Sequence, residues 1–291
     1  MHKRLRSDTA PQRDVDDRRR DQRRPPRGHV KLIGNTILIT GGGTGIGLAL
    51  AGVLLERGNR VAVCGRRQEK LDEARRLYPQ LVTYRCDVSE ADDRRRLFEA
   101  VAADGLALNV LINNAASMTA YDLTDAGALD MDRVRRDIAV NFVAPIEMIE
   151  LFLPMLLERD APTIINVSSP GGVVPVARVP VYCASKAALG SFTRSLRHQL
   201  GARVRVITVY PPSVETEMMR NVDLHKVSAE DCGREIMRRL AGDSDEIWIG
   251  EARYLRILAR LAPLWTFRLV NRATKFASPP GRDASARRET P

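Results

Sequence analysis

A tyrosine and a lysine four positions apart, in Tyr182-Cys183-Ala184-Ser185-Lys186, carry the chemistry this chain advertises most plainly. At that spacing the two side chains share one face of a helix. An ammonium beside a phenol lowers its pKa and makes it a usable acid or base near neutral pH. Ser169 stands 13 residues before the tyrosine, and a Gly-rich run starting at Thr40 stands 142 residues before it. Alone, the Tyr-Lys pair could be an ordinary helix N-terminus. Joined to the other two elements, it points to proton transfer beside a bound nucleotide.

The Gly-rich run is Thr40-Gly41-Gly42-Gly43-Thr44-Gly45-Ile46-Gly47. It follows a short β-branched stretch and opens a helical pattern. Glycines let the chain turn sharply and bring backbone N–H groups close to a pyrophosphate. A helix N-terminus then favours the negative charge. Gly41, Gly43, Thr44, Gly45, Ile46 and Gly47 are the candidate contacts. The end of the second strand bears on which dinucleotide binds. An NAD site usually places a carboxylate there for the ribose 2′-hydroxyl. This chain reads Cys64-Gly65-Arg66-Arg67, with no acid. Gly65 leaves room and Arg66 can pair with a 2′-phosphate, so NADP(H) is favoured and NAD(H) stays open. The bland alternative is that Arg66 and Arg67 are solvated loop charges. Asp87-Val88, after the third strand, can flank the adenine ring.

Positioning these groups requires strands that alternate with helices, and the apolar pattern supplies them. Strands are predicted at 36–40, 61–64, 81–86, 110–112, 163–167, 204–210 and 246–249. Helices are predicted at 46–57, 68–78, after Ser89 as cap to about 103, 131–157 with a bend at Pro145, 182–200 and 232–240. Continuous apolar strands alternating with helices imply a parallel sheet covered on both faces. The expected fold class is therefore α/β, a single doubly wound sheet of the dinucleotide-binding kind, with a helical amphipathic C-terminal segment. Strand carboxyl ends in such a sheet open on one crevice. Asn113-Asn114-Ala115-Ala116, Asn141, Ser168-Ser169, Tyr182, Lys186 and Pro211-Pro212-Ser213-Val214-Glu215-Thr216 can all converge there.

This ordered set resembles the short-chain dehydrogenase/reductase family over about residues 32–250. The surroundings of Tyr182, with Asn166-Val167-Ser168-Ser169 and the double proline, are most similar to its Dlt-type oxidoreductase subgroup. The resemblance implies an NAD(P)-dependent enzyme that interconverts a hydroxyl and a carbonyl. It implies that Tyr182 is the acid/base and that Lys186 lowers its pKa and bonds the nicotinamide ribose. By the same likeness Ser169 orients the substrate oxygen, Ser168 is structural, and Asn141 holds a water that links Lys186 to solvent. Asn141 could instead simply satisfy backbone groups near Pro145. Asn114, Ala115, Pro211, Val214 and Thr216 would line the cofactor, the last two near the carboxamide. A homodimer or homotetramer built on the long helices is also implied. Two positions depart from the family pattern. Ala116 replaces a glycine, at a cost of about 1 kcal/mol if φ must be positive. Pro212 replaces another and stiffens its loop. A stretch near 218–227 is expected to close over the substrate.

The net charge of +10 in 291 residues belongs to the ends. Residues 1–29 hold ten Lys or Arg against five Asp, and 252–291 hold nine against two, which leaves 30–251 at net −2. Residues 1–29 and 277–291 read as disordered tails, around an oxidoreductase domain at 30–250 and a basic amphipathic extension at 251–276. A nucleic-acid partner is disfavoured, since no recognition helix accompanies the arginines. The extension fits a membrane surface, a pocket cover or a subunit contact. Four scattered cysteines suggest reduced thiols and a cytoplasmic setting, with the inner face of a membrane as an alternative. The histidines lack metal-ligand spacing, so no metal site is expected. No apolar run is expected to be long enough to span a bilayer. Val173, Val174, Val176 and Val179 suggest an apolar substrate wall. The rival reading is a nucleotide-sensing module that no longer catalyses and makes contacts through its basic ends.

Overall fold

A computed structural model describes residues 32–125 and 129–276. The expected tails at 1–29 and 277–291 lie outside the described residues. All seven runs expected as strands join one parallel sheet, in the order β3-β2-β1-β4-β5-β6-β8. Its strands are β1 (Thr36–Thr40), β2 (Arg60–Gly65), β3 (Val82–Arg85), β4 (Val110–Asn113), β5 (Thr163–Val167), β6 (Arg205–Tyr210) and β8 (Glu246–Trp248). Side chains alternate across each strand, so the sheet feeds two cores. Ile37 and Ile39 of β1 pack with α1 (Gly45–Glu56) and α7 (Ala229–Leu240). Leu38 faces the other way, among residues of α3 (Ala91–Ala103), α5 (Ala144–Leu157) and α6 (Pro180–Leu200). The remaining surface helix of this half, α2 (Gln68–Leu77), lays Leu71 and Ala74 on the first core.

Boundaries differ from expectation by a few residues, and three differences have a physical cause. Helix α3 begins at Ala91, and Ser89 does not cap it, because the Ser89 hydroxyl donates to Asp87 at 2.7 Å. The expected long helix is α4 (Met131–Ile138), a π-helical turn at Ala139–Val143, and then α5. Pro145 lies in the first turn of α5 rather than at a kink within it. Its missing N–H deprives the Asn141 carbonyl of the regular partner four residues on, and a wider turn accommodates that loss. The C-terminal extension is two helices, α8 (Ala252–Leu261) and α9 (Pro263–Ala273). After them β9 (Lys275–Phe276) pairs antiparallel with β7 (Val222–Asp223), a ladder no sequence pattern suggested.

The expectation about membrane-spanning stretches needs correction. Met131–Leu157 is 27 residues long with a window of mean hydropathy 1.7, long and apolar enough to cross a bilayer. Met148, Ile149, Phe152 and Leu156 of that helix are buried in the core, and Asp137 and Asn141 are buried and hydrogen-bonded. It is a core helix with an apolar outer edge.

Candidate active site

The cleft is built where β1 turns into α1. Gly41 takes φ +65°, and a Cβ there would come within 2.9 Å of the Ala115 Cα. A Cβ on Gly47 would lie 2.5 Å from the Gly41 carbonyl and 2.6 Å from the Asn114 amide nitrogen. Those contacts draw the end of β4 against the turn. Asn114 seals the junction by donating its amide to Thr40 O at 3.0 Å, while the Thr40 hydroxyl accepts from the N–H groups of Asn114 and Ala115, both at 3.0 Å. Helix α1 is entered from Thr44, which makes no side-chain cap, and has no acid in its first turn. Its unsatisfied N–H groups give the cleft a site for negative charge.

That cleft has a volume of about 460 Å³. Gly41, Gly43, Thr44, Gly45, Ile46, Arg66, Asp87, Val88, Asn114, Ala115, Tyr182, Lys186, Pro211 and Thr216 line it, all of them candidates from sequence. Gly47 and Val214 are absent from the lining. Gly47 is a packing residue of the turn, and Val214 is buried in the core, bridged to Val227. Asn141 and Ser169 are also outside the lining, so the structure brings each of them to the site through a neighbour.

Tyr182 and Lys186 occupy the first turns of α6. Burial pushes the Tyr182 phenol up to about 12, and the Ser169 hydroxyl, hydrogen-bonded to it, pulls the other way. Lys186 is buried, and loss of solvent brings its ammonium down to about 8. Its Nζ donates to Val167 O at 2.9 Å and sits 5.9 Å from the centre of the Tyr182 ring. Burial is the larger influence on both groups, raising the phenol and lowering the ammonium. Ser168 donates to Lys186 O at 3.1 Å, and Ser169 Oγ accepts the Gly171 N–H at 3.1 Å. Asn141 accepts the Ser117 N–H at 2.9 Å and donates to Ser117 O at 2.7 Å. Its side chain thus holds the loop after β4.

Several site-building residues escaped the sequence reading. Asp137 is fully buried and accepts from the Ser117 hydroxyl at 2.6 Å and the Thr119 N–H at 2.8 Å. A buried polar row ties β4 to β5 to α6: Asn113 donates to Asn166 at 2.9 Å, and Asn166 donates to Thr193 at 2.9 Å. Asn113 and Asn166 are register partners, a relation that spacing within either strand could not reveal. Ala116 has no positive φ, so its replacement of glycine strains nothing. The four valines do not line the cleft. Val174 and Val179 are buried, and Val173 packs against Tyr210, Trp248 and Ala252. Met118 and Met218 are among the apolar side chains that do line the cleft.

Charges rim the end of the cleft beside β2 and β3. Asp87 is pushed up by burial, but the Arg136 guanidinium at 2.5 Å and the Ser89 hydroxyl and N–H outweigh that and hold it below the usual carboxylate range. Arg67 makes a two-pronged ion pair with Glu217 at 3.1 and 2.8 Å, 150 residues away across the mouth. Arg66 has no acidic partner among the described residues. Among those residues no group of three or more His, Cys, Asp or Glu is placed to hold a metal ion.

A Gly turn at an uncapped helix, at the carboxyl ends of a seven-stranded parallel sheet, with a half-buried tyrosine and a buried lysine across the cleft, defines an NAD(P)-dependent oxidoreductase. The chain matches the model of the short chain dehydrogenase family over residues 35–226 and belongs to that family. Among its relatives is DltE of Bacillus subtilis (strain 168), an uncharacterized oxidoreductase, 43% identical over 191 residues that span 64% of this chain and 74% of DltE. The Dlt-type likeness read from the sequence has its counterpart there. A very-long-chain 3-oxoacyl-CoA reductase of Anas platyrhynchos is 32% identical over 194 residues, 65% of this chain and 62% of that protein. The crystal structure of a short chain dehydrogenase from Burkholderia cenocepacia J2315 in complex with NADP superposes with a TM-score of 0.73 at 28% identity, covering 82% of this chain and 98% of that one.

Proposed function

We propose that this chain is an NADP(H)-preferring reductase of an apolar carbonyl compound, with Tyr182 as the proton donor. The observation that carries the reading is the half-buried Tyr182, its phenol hydrogen-bonded to Ser169 and backed by the buried Lys186, on the wall of the cleft that begins at the Gly turn. A nicotinamide dinucleotide fits that cleft: the uncapped N-terminus of α1 suits its pyrophosphate, and the cofactor supplies the hydride. The chain supplies alignment and a proton. With its pKa near 12, Tyr182 keeps its proton at neutral pH and serves as an acid. Ser169 holds a substrate oxygen against the phenol. Lys186, largely protonated below about pH 8, keeps positive charge beside the phenolate that proton donation leaves. Asn141 holds the loop after β4 through Ser117, and its main-chain carbonyl, which faces Pro145 in sequence, is the acceptor suited to a water on the path from Lys186.

The NADP(H) preference rests on Arg66, which lines the cleft without an acidic partner, and on the lack of an acid at the end of β2. The NADP complex of the Burkholderia relative agrees with it. Met118 and Met218 favour an apolar substrate, because methionine adapts to varied shapes. The acyl substrate in the name of the avian relative is of that kind. Exposed Met131, Ile138, Val143 and Leu157 along α4 and α5 support a homodimer or homotetramer through those helices.

Tyr182→Phe is expected to cut NADPH-dependent carbonyl reduction by about 10²–10⁴ while NADPH still binds, as read by quenching of protein fluorescence. Turnover that survives the substitution refutes the assigned role. Arg66→Asp is expected to weaken NADPH binding by roughly ten- to a hundredfold and to spare NADH, the size of a lost charge-assisted hydrogen bond. Equal loss for both dinucleotides would show that Arg66 does not read the 2′-phosphate.

A further inference from the structure

Pro263 has no N–H and restricts the residue before it, so α8 cannot run on into α9. Ala262 leaves helical geometry at φ −143° and ψ 66°, and the chain turns a corner. The most exposed apolar side chains of the extension sit at that corner: Leu261 at 78%, Leu264 at 72% and Trp265 at 57%. Tyr254 and Ile257, on the face of α8 that leads to Leu261, are also more than half exposed. The fold uses the other side of the extension. Ala252 packs with Tyr210 and Trp248, and Asn271 donates to Pro175 O at 3.0 Å and accepts the Ala177 N–H at 2.7 Å. A protruding apolar corner on a chain with a well-formed core marks a contact surface.

Cations surround this corner, with no acidic residue between positions 252 and 276. Arg256 is held 3.8 Å from Glu246. Arg260, Arg268 and Arg272 have no acidic partner among the described residues. Residues 30–251 are at net −2, so the excess positive charge is not a property of the whole molecule. A second copy of this chain is a poor occupant. A two-fold interface would bring the patch onto itself, cation against cation, with no acid to pair them.

We propose that the α8–α9 corner docks on an anionic lipid bilayer. Leu261, Leu264 and Trp265 enter the interface below the headgroups, and the three arginines meet the lipid phosphates. The surface fits this occupant on both counts, since insertion needs a protruding apolar wedge and the charge selects the lipid. Docking also sets the substrate side toward the bilayer, because β9 pairs with β7 in the loop that follows Glu217–Met219.

The test is co-sedimentation of the full chain with phosphatidylcholine vesicles, with and without phosphatidylglycerol. Three variants accompany it: Leu264→Glu with Trp265→Glu, Arg260→Glu with Arg268→Glu, and Trp248→Phe. All are checked for unchanged NADPH binding and circular dichroism. The full chain is expected to sediment with the anionic vesicles only. The apolar variant should lose at least about tenfold in partitioning, and the charge variant roughly fivefold per arginine. Only two tryptophans are present, Trp248 and Trp265, so Trp248→Phe isolates the second. Its emission should shift to the blue on anionic vesicles. Binding that neither surface variant weakens belongs to the N-terminal basic residues and overturns the proposal. Equal binding to neutral vesicles, or no binding, overturns it as well. Self-association in solution that the apolar variant abolishes assigns the corner to a second copy and overturns it too.

Discussion

The wall that carries Tyr182 and the side proposed to cover the substrate are held by different physics. The wall is tied by buried, short, fully paired polar contacts: Asn113 to Asn166 to Thr193, Lys186 to Val167 O, Ser168 to Lys186 O. The substrate side is tied at its edges: a two-residue ladder between β7 and β9, one bridge between Val214 and Val227, and an exposed ion pair from Arg67 to Glu217. Buried networks in a low-dielectric interior fix one arrangement, whereas short exposed ties open at low cost. The groups proposed to react therefore sit on the rigid part, and the stretch proposed to admit and release substrate is the weakly tied one. Chemistry is shared across a fold in this way while substrate choice is left to the covering segments.

Breaking the wall is expected to have the largest effect. Asn166→Ala removes the centre of the buried row, leaves the Asn113 amide without its acceptor in a dry interior, and leaves the Thr193 hydroxyl only its bond to Leu189 O. The expected loss is about 2–4 kcal/mol, from one buried donor at about 1–3 kcal/mol and the cavity left by the side chain. Chemical denaturation followed by circular dichroism measures it. A loss under about 1 kcal/mol would mean that the row does not hold α6 to the sheet.

Lys186→Met tests whether the same wall is strained by its own catalytic equipment. The folded-state pKa of Lys186 is about 8, below its ordinary 10.5. Between those values the unfolded chain binds more protons than the folded one, so stability rises with pH. Below about pH 8 the cost of burying the ammonium is fully present. The methionine variant should thus hold its greatest relative stability at neutral pH. That relative gain should shrink, by a change on the order of 3 kcal/mol, as pH rises from about 8 to 10.5 in the cofactor-free protein. A difference between variant and parent that stays flat with pH would show that the lysine is not desolvated.

The same contrast decides how much was legible in the sequence. The Gly turn, the seven strands and the Tyr-Lys pair are local patterns, and each landed within a few residues of its place. Pro145 disclosed an irregularity in the long helix but not its kind, because the π turn answers to the carbonyl of Asn141 and not to the proline ring alone. The row through Asn166 exists only once β4 and β5 are in register, and no periodicity encodes register between strands. The β7–β9 ladder is two residues long, below what any pattern can signal. The valines after Ser169 misled because apolar side chains report burial without saying whether the burial is in core or cleft. Tyr182 and Lys186 both line the cleft, but proximity in sequence says nothing of how dry the pair is, and burial moves both groups.

The smallest expected effect concerns the tie across the mouth of the cleft. Glu217 lowers its own carboxyl pKa by pairing with Arg67, and both side chains are substantially exposed. Such a pair contributes little to stability, under about 1 kcal/mol, so Glu217→Gln should unfold at nearly the same denaturant concentration as the parent. Its consequence should appear in binding instead. Arg67 lies next to Arg66 at the end of β2, and while Glu217 occupies its guanidinium it has less to offer a phosphate. Releasing it places a second cation beside the 2′-phosphate site. NADPH affinity is expected to rise by roughly two- to fivefold, about the worth of one partly exposed charge pair, and to rise least at high salt. NADH affinity should not change, since it has no 2′-phosphate to meet the freed arginine. If both dinucleotides gain equally, the tie is a steric gate on the cleft and not a competitor for charge. If neither gains and stability falls by several kcal/mol, the substrate side is as firmly built as the catalytic wall, and the contrast between them fails.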